Sequence, residues 1–171
     1  MKRNEQKLIE SFKERWGENG VLRAHWVIFL CQQQSNTHIT LTTNKSQASH
    51  RYMSGLLKTW LGIVERGWLK GRYYKKPAAE RVTGFFFCES LNHNPHIHGI
   101  LRIPPKRINT NFKQECVESY LDDKWQLLMK SGDAKTEFST NAMGAAIYQT
   151  KQYRTAEQWQ GVILAQDFWP A

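Results

Sequence analysis

The sequence predicts an α+β domain: a central antiparallel sheet with helices packed against it. Three observations carry this. Residues 85–103 read Phe-Phe-Phe-Cys-Glu-Ser-Leu-Asn-His-Asn-Pro-His-Ile-His-Gly-Ile-Leu-Arg-Ile, two apolar runs about a polar Asn/Pro turn, as in a hairpin of two strands. Residues 37–43, Thr-His-Ile-Thr-Leu-Thr-Thr, are β-branched and alternating, the pattern of a further strand. Residues 47–68 place Met53, Leu56, Leu57, Trp60, Leu61, Val64 and Trp68 at three-and-four spacing, a long helix with one buried face.

The remaining elements follow from similar signals. Leu8, Ile9, Phe12 and Trp16 recur at helical spacing, so residues 4–16 form a short amphipathic helix closed by Gly17. Residues 26–31 are a compact apolar run, strand or buried helix, which periodicity does not decide. After the long helix, Lys70, Arg72, Tyr73, Tyr74, Lys75 and Lys76 interleave cations with aromatic rings in a loop. That loop is either a solvated connector or a patch that tracks a nucleic-acid strand and stacks a tyrosine on a base. Beyond the hairpin, Asn109 or Thr110 can cap a helix over 111–130 that turns Phe112, Cys116, Val117, Tyr120, Leu121 and Leu128 inward. A short strand at 136–139 and a helix over 142–154, capped by Ser139, Thr140 or Asn141, complete the order. Helices are expected on one face of the sheet, with the other face open.

Composition narrows the partners. A chain of 171 residues without a repeat or a Pro/Gly-rich linker fits one domain, large enough to bury a core without disulfides. Lys and Arg exceed Asp and Glu by enough to give a formal charge of +9, which favours a polyanion, nucleic acid before anionic membrane. Cys31, Cys88 and Cys116 make neither a Cys-x-x-Cys pair nor an even disulfide set, and no apolar run approaches membrane-spanning length. The expectation is a soluble protein of a reducing cell interior, with no membrane partner.

The hairpin also carries chemistry. Residues two apart in a strand share a face, so His96 and His98 project together while Ile97 turns into the core. Glu89, at the end of the preceding strand, can lie across the ladder from them. Two imidazoles and a carboxylate on a rigid sheet suit a divalent metal with positions left open. A structural zinc site from Cys88, His93, His96 and His98 is the competing arrangement. Alternation along the strand turns Cys88 away from the face of Glu89, which weakens it. In the last helix, Gly144, Tyr148, Lys151 and Gln152 share one face, and Gly144 and Ala145 leave the approach to Tyr148 clear.

Glu89, His96-Ile97-His98 and Gly99 resemble the HUH motif (His, hydrophobic, His) of rolling-circle replication initiators, in which a Glu on the preceding strand joins the two His as third metal ligand. Tyr148 with Lys151 resembles the Tyr-x-x-Lys motif of the Rep nucleases, and Thr-Leu-Thr at 40–42 is similar to their first motif. The resemblance covers roughly residues 37–153. It implies a Rep-type HUH fold (ferredoxin-like, with a layout shared by RNA-recognition modules), with 1–36 an N-terminal extension, 37–154 the catalytic core and 155–171 a C-terminal tail.

The same resemblance implies a metal-dependent, sequence-specific nickase of single-stranded DNA. Tyr148 would be the nucleophile, Lys151 would orient or neutralise the phosphate, and Mg²⁺ or Mn²⁺ would sit on Glu89, His96 and His98. Gln152 stands where single-tyrosine HUH transposases place a ligand Gln, which leaves Gln152 as the alternative third ligand. Tyr153 lies about 140° round a helix from Tyr148 and is read as packing or DNA contact. His93 is read as an exposed turn residue. The order His96 before Tyr148 points to replication initiators or transposases rather than relaxases. With no Gly-x-x-x-x-Gly-Lys-[Ser/Thr] loop in the sequence, a helicase is expected from another protein. The expected DNA is an origin or hairpin, the protein a monomer or dimer, and its compartment the cytoplasm, or the host nucleus if viral. A non-catalytic single-strand-binding module is the reading from a different class.

Overall fold

The computed structural model describes residues 3–104, 114–139 and 141–169. In chain order the elements are α1 (Arg3–Gln32), β1 (Thr37–Thr42), α2 (His50–Leu69), β2 (Thr83–Glu89), β3 (His96–Arg102), α3 (Gln114–Leu128), β4 (Ala134–Phe138), α4 (Ala142–Gln149), α5 (Ala156–Gln160) and β5 (Ile163–Leu164). The strands form one antiparallel sheet in the order β4-β1-β3-β2-β5. The α+β class and the single domain are therefore as the sequence predicts. The expected caps Asn109, Thr110 and Thr140, and Phe112, lie outside the described residues.

Local sequence explains the boundaries. Gly17, at φ 62°, breaks α1 into two segments where the first amphipathic stretch was expected to end. The ambiguous run at 26–31 is helix, the second segment of α1. Ser49 caps α2 by accepting from the Tyr52 amide, and Asn141 caps α4 by accepting from the Gly144 amide.

Packing differs from expectation, because helices cover both faces of the sheet. On one face Ile39, Leu41, Phe86, Ile97 and Leu101 meet Met53, Leu57, Trp60 and Val64 of α2 and Val117, Leu121 and Trp125 of α3. On the other, Phe85, Phe87 and Ile100 meet Phe12, Ala24, Val27 and Leu30 of α1, with Ala146, Tyr153 and Trp159. The physical reason lies in Phe85-Phe86-Phe87. Alternation sends successive rings to opposite faces, so three in a row demand cover on both. Residues 1–36, expected as an extension, thus include the helix that closes the second core. Part of the expected tail also belongs to the sheet, since β5 pairs with β2 at Phe85–Leu164 and Phe86–Ile163. No described helix is long and apolar enough to cross a membrane.

Candidate metal centre and tyrosine site

Antiparallel register builds the centre. Glu89 pairs with His96, Phe87 with His98, and Thr40 of β1 with His98 from the other side. All project onto the α1/α4 face. Gly99 makes room on the opposite face, where a Cβ would meet Ile39 Cγ2 at 2.6 Å and Phe86 Cδ1 at 2.9 Å. The turn between β2 and β3 starts with Ser90 and contains Asn94, both at positive φ, and its tightness fixes the one-to-one pairing of Glu89 with His96.

The Glu89 side chain is fully enclosed, and its Oε2 lies 3.4 Å from Nε2 of both His96 and His98. Those contacts are long for hydrogen bonds, and both carboxylate oxygens lack a hydrogen-bond partner. An enclosed carboxylate without short bonds is costly unless a cation satisfies it. Donor atoms 3.4 Å apart are spaced as two ligands each about 2.1 Å from a shared ion at a near-tetrahedral angle. Glu89, His96 and His98 can therefore hold a metal ion.

Hydrogen bonds outside the cluster aim the rings. His96 Nδ1 lies 3.0 Å from the Asn94 carbonyl, which only accepts, so Nδ1 carries the hydrogen and Nε2 is left free as a ligand. His98 Nδ1 lies 3.1 Å from the Thr40 hydroxyl. Burial alone would raise the Glu89 carboxyl, but the His96 and His98 rings and the Lys151 ammonium reverse this and bring it to about 2. Contact with Glu89 raises the His96 imidazole, against the opposing effect of burial.

Tyr148 and Lys151 come to the same place. Lys151 Nζ is 3.2 Å from His98 Nε2, 3.7 Å from Glu89 Oε2 and 4.1 Å from the centre of the Tyr148 ring. The Tyr148 ring stands edge-on to His98 at 5.6 Å and is 56 % exposed. The helix that carries Tyr148 ends at Gln149, short of the expected 154. Thr150 turns its hydroxyl onto the Ala146 carbonyl at 2.7 Å, and the Arg23 guanidinium takes the Ile147 carbonyl at 2.8 Å. The Ile147 carbonyl is the acceptor that the Lys151 amide would need to continue the helix, and that amide turns instead to the Tyr148 carbonyl at 3.1 Å. Lys151 and Gln152 thus sit in a turn rather than on the helical face of Tyr148, and Lys151 folds back to the cluster from there.

Other expected site residues separate from it. Gln152 is exposed, whereas Glu89 is enclosed between both imidazoles, so geometry favours Glu89 as third ligand. Tyr153 is buried, donates to the Cys88 carbonyl at 3.2 Å and packs edge-on to Phe87; burial raises its hydroxyl far above the usual range. It is a packing residue. His93 is exposed in the turn, and Cys88 points into the opposite core with its thiol pushed up to about 12 by burial. The Cys/His zinc arrangement is therefore not assembled. Tyr73 lies against α2, with its hydroxyl oxygen 3.9 Å from where a Cβ on Gly62 would stand. The loop of Lys70, Arg72, Tyr73, Tyr74, Lys75 and Lys76 thus belongs with the helix on the far face of the sheet.

Sequence reading missed Arg23, and it placed Thr40 in a strand motif without its contact to His98. Arg23 is only 4 % exposed, stacked over Phe12 and Trp16 while it binds the end of α4. An Arg in an amphipathic helix gives no sign of burial, and only Thr40, within the alternating strand, had a legible position. In comparisons of the chain with protein-family models, curated proteins and solved structures, none matches.

Proposed function

We propose that this chain is a metal-dependent, sequence-specific endonuclease of single-stranded DNA, an HUH-type single-tyrosine enzyme that nicks and rejoins strands as a rolling-circle replication initiator does. The observation that carries the reading is convergence. A Glu/His/His cluster with its carboxylate enclosed, a lysine in contact with two of its members and an exposed tyrosine beside that lysine come from distant parts of the chain to one spot. The net positive charge suits a polyanionic substrate.

Glu89, His96 and His98 would hold the ion, with Mg²⁺ or Mn²⁺ the expected species. A bound divalent ion supplies polarisation of a phosphate oxygen. The chain's own groups do the rest. Lys151, whose ammonium lies 4.1 Å from the centre of the Tyr148 ring, offsets charge on the phosphate. The Tyr148 oxygen forms a bond to phosphorus as the bond from phosphorus to the 3′ oxygen breaks. The phenol proton is lost to solvent, and the departing 3′ oxygen gains one. The products are a 5′-phosphotyrosine and a free 3′-OH, and attack by a 3′-OH reverses the step without ATP.

The test is incubation with labelled single-stranded oligonucleotides in Mn²⁺ or EDTA, wild type beside Tyr148→Phe, resolved on a denaturing gel. A metal-dependent covalent band absent from the variant is the expected result. Metal-independent binding with no covalent band across a diverse oligonucleotide pool would instead make the protein a binding module.

A further inference from the structure

The open part of the site face holds a groove that the proposed chemistry does not use. It lies between β1, β4 and α4, has a volume of about 410 Å³ and is bordered by His38, Lys135, Glu137, Asn141, Tyr148 and Gln149. That volume falls in the range of pockets that enclose a small ligand. Thr40, which holds His98 Nδ1, also borders it, so the groove is continuous with the metal cluster. Tyr148, the tyrosine that would carry the phosphate, borders it as well.

Two features of the lining point to a ligand. Gln149 is only 3 % exposed, and its Oε1 is buried without a hydrogen-bond partner. A buried amide oxygen is seldom left unpaired, and an unpaired one asks for a donor from a guest. The rim is also divided by charge: Lys135 and Glu137 form a 2.8 Å ion pair there. The Glu137 carboxylate and the unpaired Gln149 amide oxygen are both acceptors in a groove that Tyr148 also borders, and acceptors there suit an amino-bearing base attached to the phosphate at Tyr148.

We propose that this groove is a base-selective nucleotide subsite. It takes one nucleotide of single-stranded DNA next to the phosphate at Tyr148, and the exocyclic amino group of an adenine, cytosine or guanine donates to Gln149 Oε1. Thymine, whose single N3–H donor is flanked by two carbonyl oxygens that would face the Gln149 oxygen, is disfavoured there. The proposal rests on the reading of Tyr148 as acting on DNA.

The experiment uses a single-stranded oligonucleotide selected from a random pool for binding to the full chain. Affinity is measured by fluorescence anisotropy in EDTA, with an abasic residue placed at each position in turn. One position in the wild type should lose about tenfold in affinity, the scale of one base contact, and thymine there should cost as much as the abasic residue. In Gln149→Leu that position should become indifferent while the others keep their profile. An unchanged profile in the variant, or a uniform loss at every position, would overturn the subsite. Should Gln149→Leu fail to fold, 5-iodocytosine at the sensitive position is photo-crosslinked to the wild type and the attached peptide identified. Attachment within 38–40, 135–139 or 145–149, or at Asn141, supports the subsite, and attachment elsewhere overturns it. Covalent-adduct formation on the same oligonucleotide separates the two readings. An adduct with a flat abasic profile removes the subsite alone, whereas neither binding nor adduct removes both.

Discussion

Glu89→Gln tests the metal centre most directly, because the substitution keeps the shape of the side chain and removes only its charge. In Mn²⁺ at about 100 times the wild-type Kd, binding stabilises the fold by about 2.7 kcal/mol. For a chain of 171 residues each kcal/mol moves Tm by about 2–4 °C, so the ion should raise the wild-type Tm by about 5–11 °C. Neutralising a ligand weakens binding by about 100-fold or more. At the same Mn²⁺ concentration the variant then keeps about 0.4 kcal/mol, a shift near 1 °C. Differential scanning fluorimetry with and without EDTA measures both. A full metal shift in Glu89→Gln would refute the assignment and transfer it to Gln152, to be checked by Gln152→Ala. The metal-free proteins give a second readout. The Glu89 carboxyl falls from 4.5 to about 2 on folding, so its contribution is complete above pH 4.5 and is lost as pH falls through about 2. Between those limits the wild type should lose on the order of 3 kcal/mol that Glu89→Gln does not lose, and parallel acid-denaturation curves would refute the coupling.

Metal affinity should fall in acid, since contact with Glu89 raises the His96 imidazole and the ligand must be neutral to bind. Below that raised pKa calorimetric Kd for Mn²⁺ should climb by at least about tenfold per pH unit, since each protonated imidazole ligand must lose its proton, and a flat profile from pH 8 to pH 5.5 would count against His96 as a ligand. Gly99→Ala should destabilise by about 1–3 kcal/mol, because its Cβ would fall within 2.6 Å of Ile39 Cγ2 and 2.9 Å of Phe86 Cδ1; chemical denaturation measures this. The two tyrosines should separate cleanly. Tyr153→Phe leaves the buried Cys88 carbonyl without its donor and should cost about 1–3 kcal/mol while covalent adduct still forms. Tyr148→Phe, at an exposed position, should change stability by less than about 0.5 kcal/mol and abolish the adduct.

Much of the metal centre was legible because it is built from nearest neighbours. A strand fixes His96 and His98 on one face by its period alone, and a short polar turn puts Glu89 opposite His96. Neither needs knowledge of where a distant element lands. The end of α4 was illegible for the converse reason. Its sequence through residue 154 is compatible with helix, and the Ile147 carbonyl, which the next helical bond would need, is taken by Arg23, contributed from α1. The one-face packing expectation failed although its refutation was printed in the chain. Phe85-Phe86-Phe87 cannot alternate between a covered and a wet face, and the run at 26–31 contains Val27 and Leu30, which complete that cover.

The second core therefore does more than shield Phe85 and Phe87. Its helix α1 carries Arg23, and Arg23 holds the carbonyl of Ile147, the residue before Tyr148. Tyr153 anchors the far side of the same turn to the strand that ends in Glu89, through the Cys88 carbonyl. Between these two anchors the turn places Lys151 over the carboxylate with Tyr148 facing outward. The β2–β3 hairpin alone would present three ligands on a strand surface. Cover by α1 encloses that surface and fixes the turn that brings the tyrosine and lysine to it, so fold stability and site geometry share the same contacts.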